Sequence, residues 1–307
     1  MRQALRRRAF SKLIRYGVRP FLGGRLPYKA QRASALAATN LCLSPPGMQH
    51  QQIELGGVAG EQVSVGDTTD GTLLWFHGGG YCVGSSRTDR APAGQFSKAS
   101  GTRVILPDYR LAPEAPHPAA LEDALTAYQA LVDQQCDLDK LIIGGDSAGG
   151  GLALALAIAL RDKGLPLPAA MVLFSPWVDL RNVLDSHHTR ASADPWLTTK
   201  MLNNWAAAYC GDKPVDLPTC SPLLADLHGL PPALIQVGDC EILLDDSVEL
   251  DKKLRASGVD SELQIFPDMW HVFFLQAGLL SQADDAIEAM GLFIRQRVDG
   301  VNSDGND

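Results

Sequence analysis

The sequence predicts an α/β fold with a mostly parallel central sheet covered by helices on both faces. Two observations predict it. From about residue 60, short and nearly continuous apolar runs recur, which is typical of buried parallel strands. Helical patterns separate these runs, as connections between parallel strands require. A length of 307 residues allows one large domain of this kind or two small ones.

Six segments are predicted as strands because each is a short apolar run. They are residues 72–77, 102–110, 140–145, 169–177, 232–239 and 261–266. Four segments carry helical patterns, namely residues 119–134, 147–164, 247–258 and about 281–297. The second of these helices is apolar almost all round, which indicates that it is buried against the sheet.

Residues 178–229 interrupt this alternation. They contain no obvious strand and many polar or turn residues, so we expect an inserted segment or lid there. The polar tail 299–307 is expected to be disordered.

Charge and hydropathy exclude several function classes. A net charge of −8 argues against nucleic-acid binding. No stretch of about 18 residues is continuously apolar, so no membrane-spanning helix is predicted. The charge is nevertheless uneven, because residues 1–53 hold ten Lys or Arg and no acid, and the remaining chain carries a net −18.

The basic N-terminal segment has several interpretations. It lacks the uninterrupted apolar core of a secretory signal, whereas its Arg-rich, acid-poor composition is compatible with an organelle transit peptide. On a helical wheel the apolar residues share one broad face, which would suit a surface-lying helix. These residues are Leu5, Ala9, Phe10, Leu13 and Ile14. We favour a helix packed on the acidic body of the protein itself.

Six cysteines are scattered along the chain without a C-x-x-C pair or a His/Cys metal spacing. This pattern predicts neither a structural zinc site nor any other metal. It is typical of a protein from a reducing compartment, and a cytoplasmic location is expected.

A candidate nucleophile lies in Gly-Asp-Ser-Ala-Gly, residues 145–149. An apolar strand precedes this G-x-S-x-G motif and a helix follows it. Small residues on both sides permit a tight strand-to-helix turn, which holds the hydroxyl of Ser147 above the sheet edge and beside a helix N-terminus. The alternative is a glycine-rich turn with an unreactive serine.

A second glycine-rich loop, His-Gly-Gly-Gly-Tyr at residues 77–81, follows another strand. Acyl transfer needs N–H donors aimed at the oxygen that becomes negative, and glycines let backbone amides approach without obstruction. Since no phosphate-binding lysine accompanies the loop, we predict an oxyanion hole. Its donors would be the amides of Gly79, Gly80 and Ala148.

The general base should follow the serine in the chain, because the order in this type of turn is serine, acid, histidine. Four histidines meet that condition. His187, His188 and His228 lie in the polar insertion, whereas His271 follows a strand, where catalytic groups of open α/β sheets collect. We therefore predict His271.

The acid is expected after the strand at 232–239. Asp239 and Glu241 both lie in the following loop, and spacing alone does not separate them. Asp245 and Asp246 are expected to enter the next helix, where acids suit the N-terminus.

Together these motifs give the sequence a specific resemblance. It resembles the hormone-sensitive-lipase-like carboxylesterases, the bacterial family IV of the α/β-hydrolase superfamily, from about residue 50 to 297. The motifs that carry it are H-G-G-G-Y (77–81), D-Y-R-L-A-P-E (108–114), G-D-S-A-G-G (145–150), D-P-W (194–196) and the region of His271.

The resemblance implies an α/β-hydrolase fold with a small helical cap. Residues 1–50 and the insertion 178–229 would form the cap, 51–177 and 230–298 the catalytic core. In the family the acid opens a D-P-L-R-D-E-G-like loop, and aligning Asp245-Asp246-Ser247 with the end of that loop places the acid at Glu241. A glutamate departs from the more usual aspartate, so Asp239 remains the alternative.

The family pattern also suggests residues of the substrate pocket. Tyr81 and Cys82 adjoin the oxyanion loop, and the insertion contributes candidates for the lid and the acyl-pocket wall. These candidates are Leu197, Met201 and Trp205.

The expected function is a serine carboxylesterase that hydrolyses short- to medium-chain acyl esters through an acyl-enzyme, without a cofactor. An amidase or formamidase with the same triad is the alternative. A non-catalytic receptor is disfavoured, since plant gibberellin receptors resemble this family but lack the histidine that His271 provides here. The expected partner is a small ester, with no nucleic acid, no integral membrane contact and a possible homodimer.

Overall fold

Eight strands form the central sheet in the computed structural model, which describes residues 2–23, 26–69 and 71–299. They are β1 (Met48–Leu55), β2 (Val58–Val65), β3 (Thr72–Phe76), β4 (Arg103–Pro107), β5 (Leu141–Asp146), β6 (Ala170–Phe174), β7 (Ala233–Gly238) and β8 (Ser261–Phe266). The spatial order is β1-β2-β4-β3-β5-β6-β7-β8. The six strands from β4 to β8 along this order are parallel, and β1 and β2 add an antiparallel hairpin at one edge.

Helices cover both faces of the sheet. They are α1 (Arg2–Leu13), α2 (Arg19–Leu22), α3 (Tyr28–Ala38), α4 (Ser86–Ser100), α5 (Ala119–Asp133), α6 (Ala148–Asp162), α7 (Ser186–Thr189), α8 (Thr199–Cys210), α9 (Leu244–Ala256) and α10 (Ser281–Val298). Core side chains of α5, α6 and α9 pack on one face, and those of α4 and α10 on the other. Every residue of β3, β5, β6 and β7 is consequently buried.

The two faces of the sheet follow the alternation of side chains along a strand. Leu74 and Ile143 belong to the core beneath α5, α6 and α9, whereas their neighbours Leu73 and Ile142 pack beneath α4 and α10. Because both faces are buried, these strands are apolar throughout rather than at every second residue, which is why they stand out in the sequence.

The predicted α/β class and parallel sheet are confirmed. The six predicted strands correspond to β3–β8 and the four predicted helices to α5, α6, α9 and α10, with ends that differ by at most three residues. The hairpin of β1 and β2 was not predicted, because most of β1 is polar and exposed at the sheet edge. Residues 178–229 hold α7 and α8 and, within the described chain, no strand.

Two further expectations concern the ends and the membrane. Of the predicted disordered tail, residues 300–307 lie outside the described residues. Among the residues that are described, no helix has the length and apolar character to cross a bilayer.

Central strand packing should dominate stability. Leu173 of β6 is fully buried, so Leu173→Ala is expected to lower the free energy of unfolding by about 2–5 kcal/mol in urea denaturation. Leu292→Ala is the matched control, because Leu292 is 50% exposed, and its effect should stay within about 0.5 kcal/mol. Equal losses from both variants would contradict this account of the core.

Candidate active site

The candidate residues collect at one edge of the sheet. The predicted oxyanion loop, residues 77–81, follows β3, Ser147 follows β5, and the loops after β7 and β8 carry Glu241 and His271. Since these strands are parallel, their carboxyl ends meet at the same edge, and residues far apart in the chain become neighbours.

The turn at Ser147 is strained. Its φ of 53° and ψ of −121° lie in a region that side-chain-bearing residues seldom adopt, and the turn passes directly into α6. A Cβ atom on Gly145 would collide with the backbone of Gly149, and one on Gly149 would collide with the carbonyl of Phe76. Only glycines therefore allow the strand and helix to approach closely enough to hold this conformation.

A buried pair joins the predicted base to the predicted acid. His271 Nδ1 lies 2.7 Å from Glu241 Oε2, and both side chains are buried. The other carboxylate oxygen, Oε1, accepts hydrogen bonds of 2.7 Å from Ser175 Oγ and from the backbone N–H of Gly238. With Nδ1 donating to Glu241, the neutral imidazole keeps its lone pair on Nε2, where it can accept a proton.

Asp239, the alternative acid, has different surroundings. Its Oδ1 accepts a 3.3 Å contact from Cys240 Sγ, and its N–H donates to the carbonyl of Phe266. The structure thus brings Glu241 rather than Asp239 to the ring of His271. Asp245 and Asp246 lie in the first turn of α9, as predicted.

The oxyanion loop depends on positive backbone angles. Gly79 has a φ of +117° and Gly80 a φ of +60°, and a Cβ on Gly80 would strike the ring of Trp205. The Gly78 amide donates to Asp146 Oδ1 at 3.0 Å, whereas neither following amide is taken by a backbone acceptor within the described chain. Ala148 opens α6, so its N–H has no intrahelical acceptor either.

Aromatic stacking supports the glycine loop at its first residue, His77. The rings of His77 and Tyr109 stack with their centroids 4.2 Å apart, and the Tyr109 hydroxyl donates to the carbonyl of His77 at 2.7 Å. Tyr109 belongs to the D-Y-R-L-A-P-E motif at residues 108–114. The Nε–H group of Arg110, in the same motif, donates to both carboxylate oxygens of Asp123.

A pair of buried carboxyl groups lies next to the serine turn. Asp146 and Asp89 are hydrogen-bonded to each other, and Trp75 Nε1 donates to Asp89 Oδ2 at 3.2 Å. Burial, together with the adjacent Asp89, holds the pKa of Asp146 well above its usual range, and burial also raises the pKa of Asp89. While one of the two carboxyl groups is protonated, that proton lies between the side chains and links them.

One apolar cavity of about 140 Å³ contains the candidate site. Ser147, His271, Gly79 and the Asp89–Asp146 pair are among the residues that line it. Three of the predicted pocket residues also line it, namely Leu197, Met201 and Trp205, and the N-terminal helices contribute Phe10, Ile14 and Leu22.

The other two predicted pocket residues lie elsewhere. Tyr81 and Cys82 are buried and do not belong to the cavity lining. With a φ of 60°, Tyr81 turns away from the cavity and stacks on Tyr209 with a centroid distance of 3.7 Å. Proximity to the oxyanion loop in sequence therefore did not bring these side chains to the cavity wall, because the chain reverses its direction at this turn.

Three residues of the site were not singled out in the sequence. Ser175 holds Glu241, Asp89 shares the proton with Asp146, and Asp194 of the D-P-W motif connects two segments. The side chain of Asp194 accepts N–H bonds from Trp196, Leu197 and Ile242 at 2.7–3.0 Å, and burial raises its pKa to about 6. Ser175 was detectable as a polar residue within the apolar run 169–177, while the other two depend on distant partners.

No metal site is evident in the part of the chain that the structure describes. No group of three or more His, Cys, Asp or Glu side chains there could hold a metal ion. The side chains at the cavity are instead a hydroxyl, an imidazole and carboxyl groups surrounded by apolar residues.

Comparisons with known proteins agree with this geometry. A family model described as the alpha/beta hydrolase fold matches residues 73–275. The putative acetyl-hydrolase LipR of Mycobacterium tuberculosis is 38% identical over 294 residues, which cover 95% of this chain and 94% of that protein. An acetyl-hydrolase of Streptomyces hygroscopicus is 41% identical over 78% of this chain and 84% of its own. The crystal structure of an esterase from the bacterial hormone-sensitive lipase family superposes with a TM-score of 0.93 at 38% identity, covering 97% of this chain and 100% of that one.

The buried carboxyl pair should make stability dependent on pH. Because the folded-state pKa values are raised, the native state keeps a proton that the unfolded chain releases near pH 4, and stability falls as pH rises from there through the raised values. Asp89→Asn leaves the buried Asp146 but removes the neighbouring charge and acidic hydrogen-bond partner, which after burial are the causes that raise the pKa of Asp146. We expect the urea midpoint of the variant to fall less than that of the wild type between about pH 5.5 and 8.5.

The matched control for this experiment is Asp139→Asn, at an exposed carboxylate. Its pH dependence should follow that of the wild type. A wild-type midpoint that does not change over this range, or an unchanged slope in Asp89→Asn, would contradict the shared proton.

Proposed function

The chain belongs to the hormone-sensitive-lipase-like esterases of the α/β-hydrolase fold, and from this membership we propose that it is a serine carboxylesterase acting through an acyl-enzyme on Ser147. The observation that carries the proposal is the 2.7 Å bond between His271 Nδ1 and Glu241, made at the apolar cavity that Ser147 also lines. A histidine oriented in this way by a buried carboxylate is what a serine nucleophile needs as its base.

In the first half of the reaction, His271 Nε2 removes the proton of Ser147 as the hydroxyl oxygen attacks the ester carbonyl. Glu241 keeps the imidazole in the correct tautomer and stabilises the positive charge that forms on it. Ser175 and Gly238 donate to the other oxygen of Glu241, so the carboxylate cannot rotate away from the ring.

The tetrahedral oxyanion is bound by the amides of Gly79, Gly80 and Ala148. Donors already held in position lower the barrier because they need no reorganisation when the charge develops. Gly78 is excluded from this role, since its amide donates to Asp146. The position of Ala148 at the N-terminus of α6 adds the positive end of the helix dipole.

In the second half, imidazolium His271 protonates the leaving alcohol and the Ser147 ester forms. Water then attacks this ester with His271 again acting as base, and the acid leaves. The chain supplies the nucleophile, the base and the oxyanion donors, and water is the second substrate.

The cavity favours esters with short to medium acyl chains. Its volume of about 140 Å³ is similar to that of an engineered protein cavity of about 150 Å³ that binds benzene. Two of the relatives described above are named acetyl-hydrolases, which agrees with a small acyl group.

Residues 1–50 and 178–229 would act as a cap over this cavity. The support is that Phe10 and Leu22 from the first segment and Leu197 and Met201 from the second line its wall. The cap then determines which acyl groups fit, while the loops of the sheet carry out the chemistry.

Replacement of the acid tests the proposed triad. We expect Glu241→Ala to lower kcat for p-nitrophenyl butyrate by about 10³–10⁴-fold, because His271 would lose its orientation and charge stabilisation. Asp239→Ala is the matched control and should retain kcat to within about tenfold, since Asp239 contacts Cys240 rather than the imidazole.

A larger loss in Asp239→Ala would overturn the assignment of Glu241. Labelling with a fluorophosphonate tests the nucleophile separately. The wild type should be labelled and Ser147→Ala should not, and a wild type that stays unlabelled while a known serine hydrolase reacts would sink the acyl-enzyme proposal. Turnover of matched amides above esters would assign the chain to the amidases instead.

Enlarging the cavity should shift acyl-chain preference. Met201→Ala removes cavity-lining volume, and one methylene in an apolar pocket changes discrimination by about tenfold or more. We expect the ratio of kcat/KM for octanoate over butyrate esters to rise by about tenfold. Met48→Ala, away from the cavity lining, should leave the ratio unchanged. An unaltered ratio in Met201→Ala would contradict the placement of the acyl chain.

A further inference from the structure

The outward side of the N-terminal helices exposes an unusual amount of apolar surface. Four large apolar side chains of this segment are exposed, Leu5 at 70%, Leu13 at 43%, Tyr16 at 73% and Phe21 at 51%. These are four of the nine large apolar side chains that are exposed in the described part of the chain. We call these four residues the outer face.

The inward side of the same segment already packs against the body of the protein. Ile14, Val18 and Leu22 are buried, and Phe10 and Ile14 line the cavity. The helical wheel placed Leu5 and Leu13 on one face with Phe10 and Ile14, whereas in the structure the first two point outward. The reason is that contact with the body is made by the stripe from Phe10 to Leu22, which leaves the other edge of the broad apolar face uncovered.

Cations border the outer face. Arg8 and Lys12 are exposed and pair with no carboxylate among the described residues. Arg7, by contrast, is bound to Asp268 at 2.7 Å, and Arg15 donates to the carbonyls of Ser192 and Ala193. Arg7 and Arg15 therefore fix the helix to the body, whereas Arg8 and Lys12 remain available to an anionic surface.

Exposed apolar side chains next to unpaired cations suit the surface of an anionic bilayer, because the apolar groups can enter the headgroup region while the cations meet the lipid phosphates. The charge is distributed so that only the N-terminal segment would attract an anionic surface. Residues 1–53 carry ten cations and no acid, while the rest carries a net −18 and would be repelled by anionic lipid. This asymmetry orients the molecule with its N-terminal helices toward such a surface.

We propose that the outer face docks on the surface of an anionic lipid bilayer. The apolar side chains enter the region between headgroups and acyl chains, and Arg8 and Lys12 bind the headgroup phosphates. Docking places the segment whose inward side lines the cavity directly at the membrane. The inference concerns the binding of the whole protein to lipid and does not depend on its proposed hydrolytic activity.

The test is co-sedimentation of the full chain with vesicles of phosphatidylglycerol and phosphatidylcholine in equal parts, and with vesicles of phosphatidylcholine alone. We expect binding to the anionic vesicles that weakens as salt is added. Each cation near such a surface contributes about fivefold, so Arg8→Gln/Lys12→Gln should weaken partitioning by about 25-fold. Leu5→Ser/Tyr16→Ser should weaken it by at least about tenfold.

Lys163→Gln/Lys252→Gln is the matched control, because it removes two exposed cations elsewhere and changes the net charge equally. It should bind vesicles as the wild type does, and circular dichroism with thermal melting establishes that each variant is folded. Absence of wild-type binding at low salt, an equal loss in the control, or folded outer-face variants that bind normally would each overturn the proposal. Light scattering that shows a dimer disrupted by the outer-face substitutions, without vesicle binding, would assign the face to a second copy of the chain and overturn it too.

Discussion

The carboxylate of Glu241 is the group on which the arrangement of this site depends. A buried anion is costly unless its oxygens receive hydrogen bonds, and here both do. Its donors come from the loops after three strands, Ser175 after β6, Gly238 at the end of β7 and His271 after β8. Satisfying one charge thus sets the relative positions of three loops. Because Nδ1 of His271 is bonded to Glu241, Nε2 is the ring nitrogen that can accept a proton.

Close packing plays the corresponding part around the serine. At Gly145 and Gly149, β5, α6 and the carbonyl of Phe76 lie so close together that a Cβ atom on either glycine would collide with the backbone. The strain of the turn at Ser147 is sustained because a fully buried strand and a buried helix flank it on either side. The shared proton between Asp146 and Asp89 joins this turn to α4, while the Gly78 amide joins it to the oxyanion loop. Ser147, the glycine loop and α4 are therefore connected through Asp146 and its hydrogen bonds.

Much of this was predictable because the signals are local. A strand buried on both faces must be apolar throughout, so the sequence predicts β3–β8, and the glycines around Ser147 indicate a tight turn. The edge strand β1 was missed because an exposed polar strand has no such signature. The partner of Asp89 lies 57 residues away along the chain, and that of Asp194 at Ile242 lies 48 away, so no pattern of spacing indicates them. Tyr81 illustrates the opposite error, in which a neighbour in sequence is turned away by a positive φ.

The two carboxylate oxygens of Asp194 accept hydrogen bonds from different segments. Oδ1 accepts from the amides of Trp196 and Leu197, where the segment that lines the cavity begins. Oδ2 accepts from the amide of Ile242, the residue after Glu241. Asp194 therefore ties the segment that forms the cavity wall to the loop that carries Glu241. A change of side-chain size at Met201 would alter the cavity wall without removing either of these bonds, so the size of the cavity and the position of Glu241 are set by separate contacts.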